Sequence, residues 1–226
     1  MKKVIMFSLI ALLLLSFFGC AQNAAADKMI VKYDLELSMV RKPSDISQRY
    51  RAPVADTTQA GIVRYAFEDD LFRSIWSATE AGWDVVLYNK SEMPIMIDWD
   101  NASYMDYDNI GHGVNISSTK PAERNNPQTP TVIPRRGNIT EKLYSNDHVY
   151  QSSVTGSWIR RPLLPIDYND AVRYKGKELR LIVPFTVDGL TAQYEFVFSV
   201  KDVRQVKATS DPWSGFLMDR ALGSFF

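Results

Sequence analysis

Four aspartates, Asp98, Asp100, Asp106 and Asp108, stand close together in this chain of 226 residues. Carboxylates at such spacing can serve hydrolytic acid–base chemistry or hold a hard cation. The run Asp106-Tyr107-Asp108-Asn109-Ile110-Gly111 opens like a calcium loop. An EF-hand loop, however, wants Asp or Asn where Ile110 stands and a glutamate further on. The competing reading is a β-turn, because Asp, Asn and Gly satisfy turn stereochemistry. The two histidines, His112 and His148, are too few for a histidine-rich zinc site. They could join a carboxylate such as Asp106 or Asp147, but nothing in their spacing brings them together. There is no G-x-S-x-G elbow, no glycine-rich phosphate loop and no H-E-x-x-H. No catalytic residue, metal or cofactor is therefore expected. The four aspartates remain weak calcium candidates, and a carboxylate-dependent hydrolase is the second reading.

The remaining reactive group is Cys20, the one cysteine of the chain. It excludes an intramolecular disulfide and a thiolate metal site. It follows Met1-Lys2-Lys3, an apolar run from Val4 to Phe18, and Gly19, the layout of a signal peptide. The run is too short for a comfortable membrane span. Phe17-Phe18-Gly19-Cys20 resembles a bacterial lipoprotein processing box, with Phe17 where leucine is usual. That resemblance implies cleavage before Cys20, its acylation and, with no aspartate following, an outer-membrane address. An ordinary secretory peptide cut after Ala24, Ala25 or Ala26 is the alternative.

Lys and Arg number 26, as do Asp and Glu. This balance argues against a nucleic-acid partner, for which a basic face is the expected footprint. Near the end of the chain Trp213, Phe216 and Leu217 have the i, i+3, i+4 spacing of an apolar helix face, and Phe225 and Phe226 close the sequence. This tail either caps an open end of the domain or binds a protein partner. Residues 117–131 form a long polar loop, and Arg160-Arg161-Pro162-Leu163-Leu164-Pro165 reads as a polyproline turn or as a crossover packed by its two leucines.

The elements that must position these residues have a period of two. Val31, Tyr33, Leu35, Leu37 and Met39 alternate with polar residues, which predicts a half-buried strand. Residues 41–61 read as a connection. Val63 to Phe67 and Leu71 to Trp76 predict a hairpin turning at Glu68-Asp69-Asp70. Trp83 to Leu87 and Ile95 to Trp99 predict two strands paired across Asn89-Lys90-Ser91-Glu92. Asp188-Gly189 between two alternating runs predicts a type I′ turn. Shorter strands are expected near Val114, Val132, Ile139 to Tyr144 and Ser157 to Ile159.

Many short strands with Gly, Pro and Asn turns indicate an all-β antiparallel fold, with an immunoglobulin-like sandwich as the expected form. Val85 to Asp100, with its Asn89-Lys90-Ser91 turn before Ile95-Met96-Ile97, and Val132-Ile133-Pro134 before Gly137 are similar to uncharacterised bacterial lipoproteins with immunoglobulin-like domains. The expected division is a signal peptide at 1–19, lipidated Cys20 and linker at 20–28, a β-sandwich at 29–206 and an aromatic-rich tail at 207–226. The expected role is a non-catalytic binding, accessory or assembly factor, lipid-anchored in the outer membrane and engaging an envelope protein. A purely structural envelope protein is a third reading.

Overall fold

The computed structural model describes residues 29–42, 54–59 and 62–207. The expected signal peptide, Cys20, its linker and the tail containing Trp213, Phe216, Leu217, Phe225 and Phe226 lie outside the described residues. Within them the chain is an antiparallel β structure, with a single short α-helix, α1 (Tyr168–Ala171). The strands are β1 (Met29–Arg41), β2 (Val54–Gln59), β3 (Ile62–Glu68), β4 (Phe72–Ala78), β5 (Trp83–Asn89), β6 (Ile95–Ile97) and β7 (Ser103–Met105). They continue as β8 (Gly111–Ile116), β9 (Thr131–Ile133), β10 (Asn138–Ser145), β11 (Val149–Gln151), β12 (Trp158–Arg160), β13 (Glu178–Val187) and β14 (Leu190–Lys207).

Ten strands pair in the order β1-β14-β13-β7-β8-β10-β5-β4-β3-β2, and β6 joins β13 to β9. The two ends of this path, β1 and β2, pack against each other, so the sheet is nearly closed. Strand β8 is its corner: Gly111–Gly113 pair with β7, whereas Val114–Ile116 pair with β10. The interior is filled with aromatic rings that meet across the two halves. Phe198 of β14 stands 4.1 Å from Trp83 of β5 and 5.4 Å from Tyr65 of β3, centroid to centroid. Phe72 of β4 stacks at 4.3 Å on Phe185 of β13. Such ring pairs contribute beyond the apolar area they bury.

Most of the expected strands are present. β1 buries Leu35 and Leu37 against β14, with two register shifts along the pairing. The acidic trio does turn β3 into β4. Asp188 and Gly189 both take positive φ, 50° and 75°, as a two-residue type I′ turn requires. Two expectations change. The connection at 41–61 contains β2, which pairs with β3. The strands either side of Asn89 do not pair with each other: β5 lies between β4 and β10, while β6 crosses to β13 and β9. Both edges of β5 are already occupied, so it has none to offer β6. Asn89, wholly buried, directs the crossing by donating to the carbonyls of Met93, Ile133 and Pro134.

A buried ion pair fastens the sheet near its seam. Asp69, in the β3–β4 turn, accepts the backbone N–H groups of Leu71 and Phe72 on one carboxylate oxygen. Its other oxygen accepts Lys42 Nζ at 3.0 Å and the Tyr194 hydroxyl at 3.0 Å. The Lys42 side chain is 6% exposed and that of Asp69 0%. Removing one partner of such a pair leaves a charge stranded away from water, at about 3–5 kcal/mol. Asp69→Asn should therefore lower the stability measured by urea denaturation by that order, and Lys42→Met in the same chain should recover part of the loss. Full stability of the single variant would show that the pair does not hold the seam.

Candidate functional site

The antiparallel register of β7 and β8 sets Tyr104 opposite His112, on one face of the corner. Asp106 follows β7 and closes the turn between them. One of its carboxylate oxygens accepts the N–H groups of Asp108 and Ile110, and Asn109 takes a φ of 63°. The turn expected at Asp106–Gly111 is thus present, and it leaves the second Asp106 oxygen 3.2 Å from His112 Nε2. The opposite ring nitrogen, Nδ1, lies 2.8 Å from Asp147. Asp147 belongs to a 3₁₀ turn, Asn146–His148, that follows β10. The turn comes close to β8 because Gly113 has no side chain: a Cβ there would stand 2.6 Å from the Asn146 amide nitrogen.

A ring with a carboxylate at each nitrogen satisfies both only when both nitrogens donate, so this geometry favours the imidazolium form of His112. Burial pulls its pKa down, but the hydrogen bonds and charges of Asp147 and Asp106 outweigh that, and the net shift is upward. Burial raises the Asp106 carboxyl, yet the N–H groups of Ile110 and Asp108 and the His112 ring hold it below the usual range. His148 behaves oppositely. Its ring lies 5.6 Å from that of His112, and burial, the His112 charge and the Arg161 charge lower its pKa against the pull of Asp106 and Asp147. One histidine holds a proton and its neighbour sheds one.

Around this pair several buried polar atoms have no hydrogen-bond partner among the described residues: Tyr104 Oη, Asn115 Nδ2, Ser145 Oγ, Asn146 Oδ1 and His148 Nδ1. They lie in β7, β8, the end of β10 and the turn that follows it. With both nitrogens donating to carboxylates, His112 has no free lone pair to act as a base.

The next residues form the β11–β12 hairpin, a two-stranded sheet of its own. Its pairing continues down to the histidine corner, where Arg161 N–H donates to the His148 carbonyl at 2.7 Å. Three guanidinium groups lie over aromatic rings here: Arg160 over Tyr144 at 4.1 Å, Arg161 over Tyr150 at 5.0 Å and Arg124 over Trp158 at 5.3 Å. At the tip, Val154 is 91% exposed. Beyond the hairpin Leu163 and Leu164 are buried, which bears out the packed crossover expected for that segment.

The aspartates of the sequence reading separate. Asp98 accepts the Asp100 N–H and the Asn101 amide in a 3₁₀ turn at Trp99–Asn101. Asp100 accepts from the Gln128 backbone and amide, and Asp108 pairs with Lys177 at 2.9 Å. Of the four, Asp106 alone reaches a histidine. Among the described residues no group of three or more His, Asp or Glu side chains is disposed to hold a metal ion. In the sequence Arg160 and Arg161 stand out only as part of a proline-containing segment and Arg124 only as part of the polar loop; the signal for their charge was the absence of any acidic residue from Val149 to Pro165. No protein-family model, curated protein or solved structure matches the chain.

The two histidines should titrate on opposite sides of their ordinary 6.5 when followed by NMR of the imidazole carbons, His112 above and His148 below. Stability carried by His112 is fully present below pH 6.5 and is lost as pH rises through its folded pKa. Stability carried by neutral His148 is present above 6.5 and is lost as pH falls through its own folded pKa. In a His148→Gln chain, denaturation midpoints should accordingly fall from pH 6 to pH 8, and in a His112→Gln chain they should rise. Identical pH profiles for the two variants would rule out the opposed shifts.

Proposed function

We propose that this chain is a lipid-anchored envelope protein that works by binding, as an accessory or assembly factor, with no chemistry of its own. The observation that carries this reading is the commitment of the four clustered aspartates. A hydrolase needs two acidic groups free to face one bond. Asp98 and Asp100 instead hold a turn and the Gln128 loop, Asp108 is spent on Lys177, and Asp106 is taken up by its own turn and by His112. Gln128 in turn accepts from Ile116 N–H and donates to the Val114 carbonyl, which fastens the long polar loop to β8. Charge is used here to fix loops on a stiff scaffold, a pattern suited to presenting a surface to a partner.

The anchor at Cys20 and the outer-membrane address rest on the signal segment and its processing box. The finer description, an immunoglobulin-like sandwich, draws support from the facing aromatic halves. The run β2-β3-β4-β5 is an up-and-down meander rather than a Greek key. We therefore take the binding role from the surface and not from the fold class, since one fold hosts many functions.

Asp98→Asn, Asp100→Asn and Asp108→Asn, made one at a time, should leave cellular function intact, as judged by complementation of a deletion strain. Loss of function in a variant with an unchanged near-UV circular dichroism spectrum would favour a hydrolase. Cys20→Ser should abolish labelling by a radioactive fatty acid and leave any membrane association removable by a high-salt wash. Undiminished labelling, or membrane retention that resists high salt, would defeat the anchor.

A further inference from the structure

We infer that the β11–β12 hairpin docks the domain onto the anionic headgroup layer of a membrane. Three features carry this. The first is charge: Arg124, Arg160 and Arg161 have no carboxylate within ion-pair reach among the described residues, although thirteen other arginine and lysine side chains there do. From Val149 to Pro165 the chain has no acidic residue, so nothing in the hairpin repels phosphate. Each guanidinium lies over a ring, and although Arg124 Nη1 donates to the Pro121 carbonyl, N–H donors remain on all three for phosphate oxygens.

The second feature is the rings themselves. Tyr150 and Trp158 are 39% and 38% exposed, and tyrosine and tryptophan favour the level of the headgroups, where one end of the ring is apolar and the other wet. Val154 stands beyond them at the tip.

The third is the tip backbone. Backbone groups already paired within a segment cost less to desolvate where it leaves bulk water. Ser152 N–H donates to the Ser157 carbonyl and Gly156 N–H to the Ser152 carbonyl. Ser152 Oγ accepts from Val154 and Thr155, Thr155 Oγ1 accepts from Ser157, and the Gln151 amide donates to the Gly156 carbonyl. The tip is uncharged, and the N–H groups of Ser152, Val154, Thr155, Gly156 and Ser157 are paired within it. An acidic polypeptide would use the same arginines, but it would have no need of half-exposed Tyr150 and Trp158 beside them or of an exposed Val154 beyond, so the lipid surface fits better. The inference rests on the envelope reading only in requiring a membrane nearby; its contacts do not involve Cys20.

The test uses the full chain carrying Cys20→Ser, so that acylation contributes nothing and a failed anchor cannot be mistaken for a failed hairpin. Binding is measured by flotation with vesicles of mixed phosphatidylglycerol and phosphatidylcholine, against phosphatidylcholine alone. Each basic side chain at an anionic surface contributes roughly fivefold in affinity, so Arg124→Gln, Arg160→Gln and Arg161→Gln together should cost on the order of a hundredfold on the mixed vesicles. The corresponding three Arg→Lys changes, which keep the charge, should retain most of the binding, and Val154→Asp should weaken it in the otherwise intact chain. Equal binding to both vesicle types, or undiminished binding by the triple Gln chain, would overturn the proposal. So would tight, arginine-dependent capture of polyglutamate or of soluble glycerol phosphate without vesicle binding, which would assign the arginines to an acidic protein or a free phosphate.

Discussion

The closure of the sheet turns on one buried carboxylate. Asp69 gathers four donors, two from its own turn, one from Lys42 just past β1 and one from Tyr194 in β14. A charge in that position is tolerable only because every lone-pair direction is used. Lys42 also lies 4.9 Å from the Phe67 ring and 5.7 Å from that of Tyr194, so the cation has aromatic faces as well as a carboxylate around it. The β3–β4 turn, the end of β1 and the middle of β14 are thereby fixed to one another. The dry aromatic interior lies beside this point: Phe67 and Tyr194, which flank the pair, touch Phe72 and Phe196.

The histidine corner uses the same currency of buried charge with the opposite outcome. At the seam every polar atom of the aspartate is matched. At the corner His112 is matched twice over, whereas Tyr104, Ser145, Asn146 and His148 have atoms without a partner among the described residues. The β11–β12 hairpin springs from this corner. Its root is tied through the His148 carbonyl, a backbone bond indifferent to pH, and through the Asp147–His112 contact, which depends on the His112 proton.

Local pattern made the strands legible and left their partners obscure. Alternation at Val31 to Met39 and the Asp188-Gly189 turn each contain their own answer, because the periodicity or the positive φ is a property of adjacent residues. The β5–β6 pairing failed for a physical reason: alternating Trp83, Val85 and Leu87 announces a strand, but Val86 on the other face is buried too, as an interior strand requires. A strand with both edges occupied is recognised from its neighbours, not from its own residues. The site shows the same limit. Asp106, Asp147, His112 and His148 were visible as chemistry, and Asp106 as a turn. What joins them is the switch of β8 from β7 to β10, a contact between segments 35 residues apart for Asp147 and His112.

That division of labour between near and distant residues also explains why the surface of this domain is more informative than its core. The interior asks for large apolar side chains and accepts many arrangements of them. The hairpin asks for something narrower: cations set over rings, no acid from Val149 to Pro165, and a tip with most of its N–H groups paired locally. A loop kept only for connectivity would not concentrate those properties, since ordering arginine side chains costs rotamer freedom and leaving them without counter-charges forgoes stability. On the proposed docking, the charge these arginines leave without a carboxylate among the described residues is met by the anionic headgroups of a membrane.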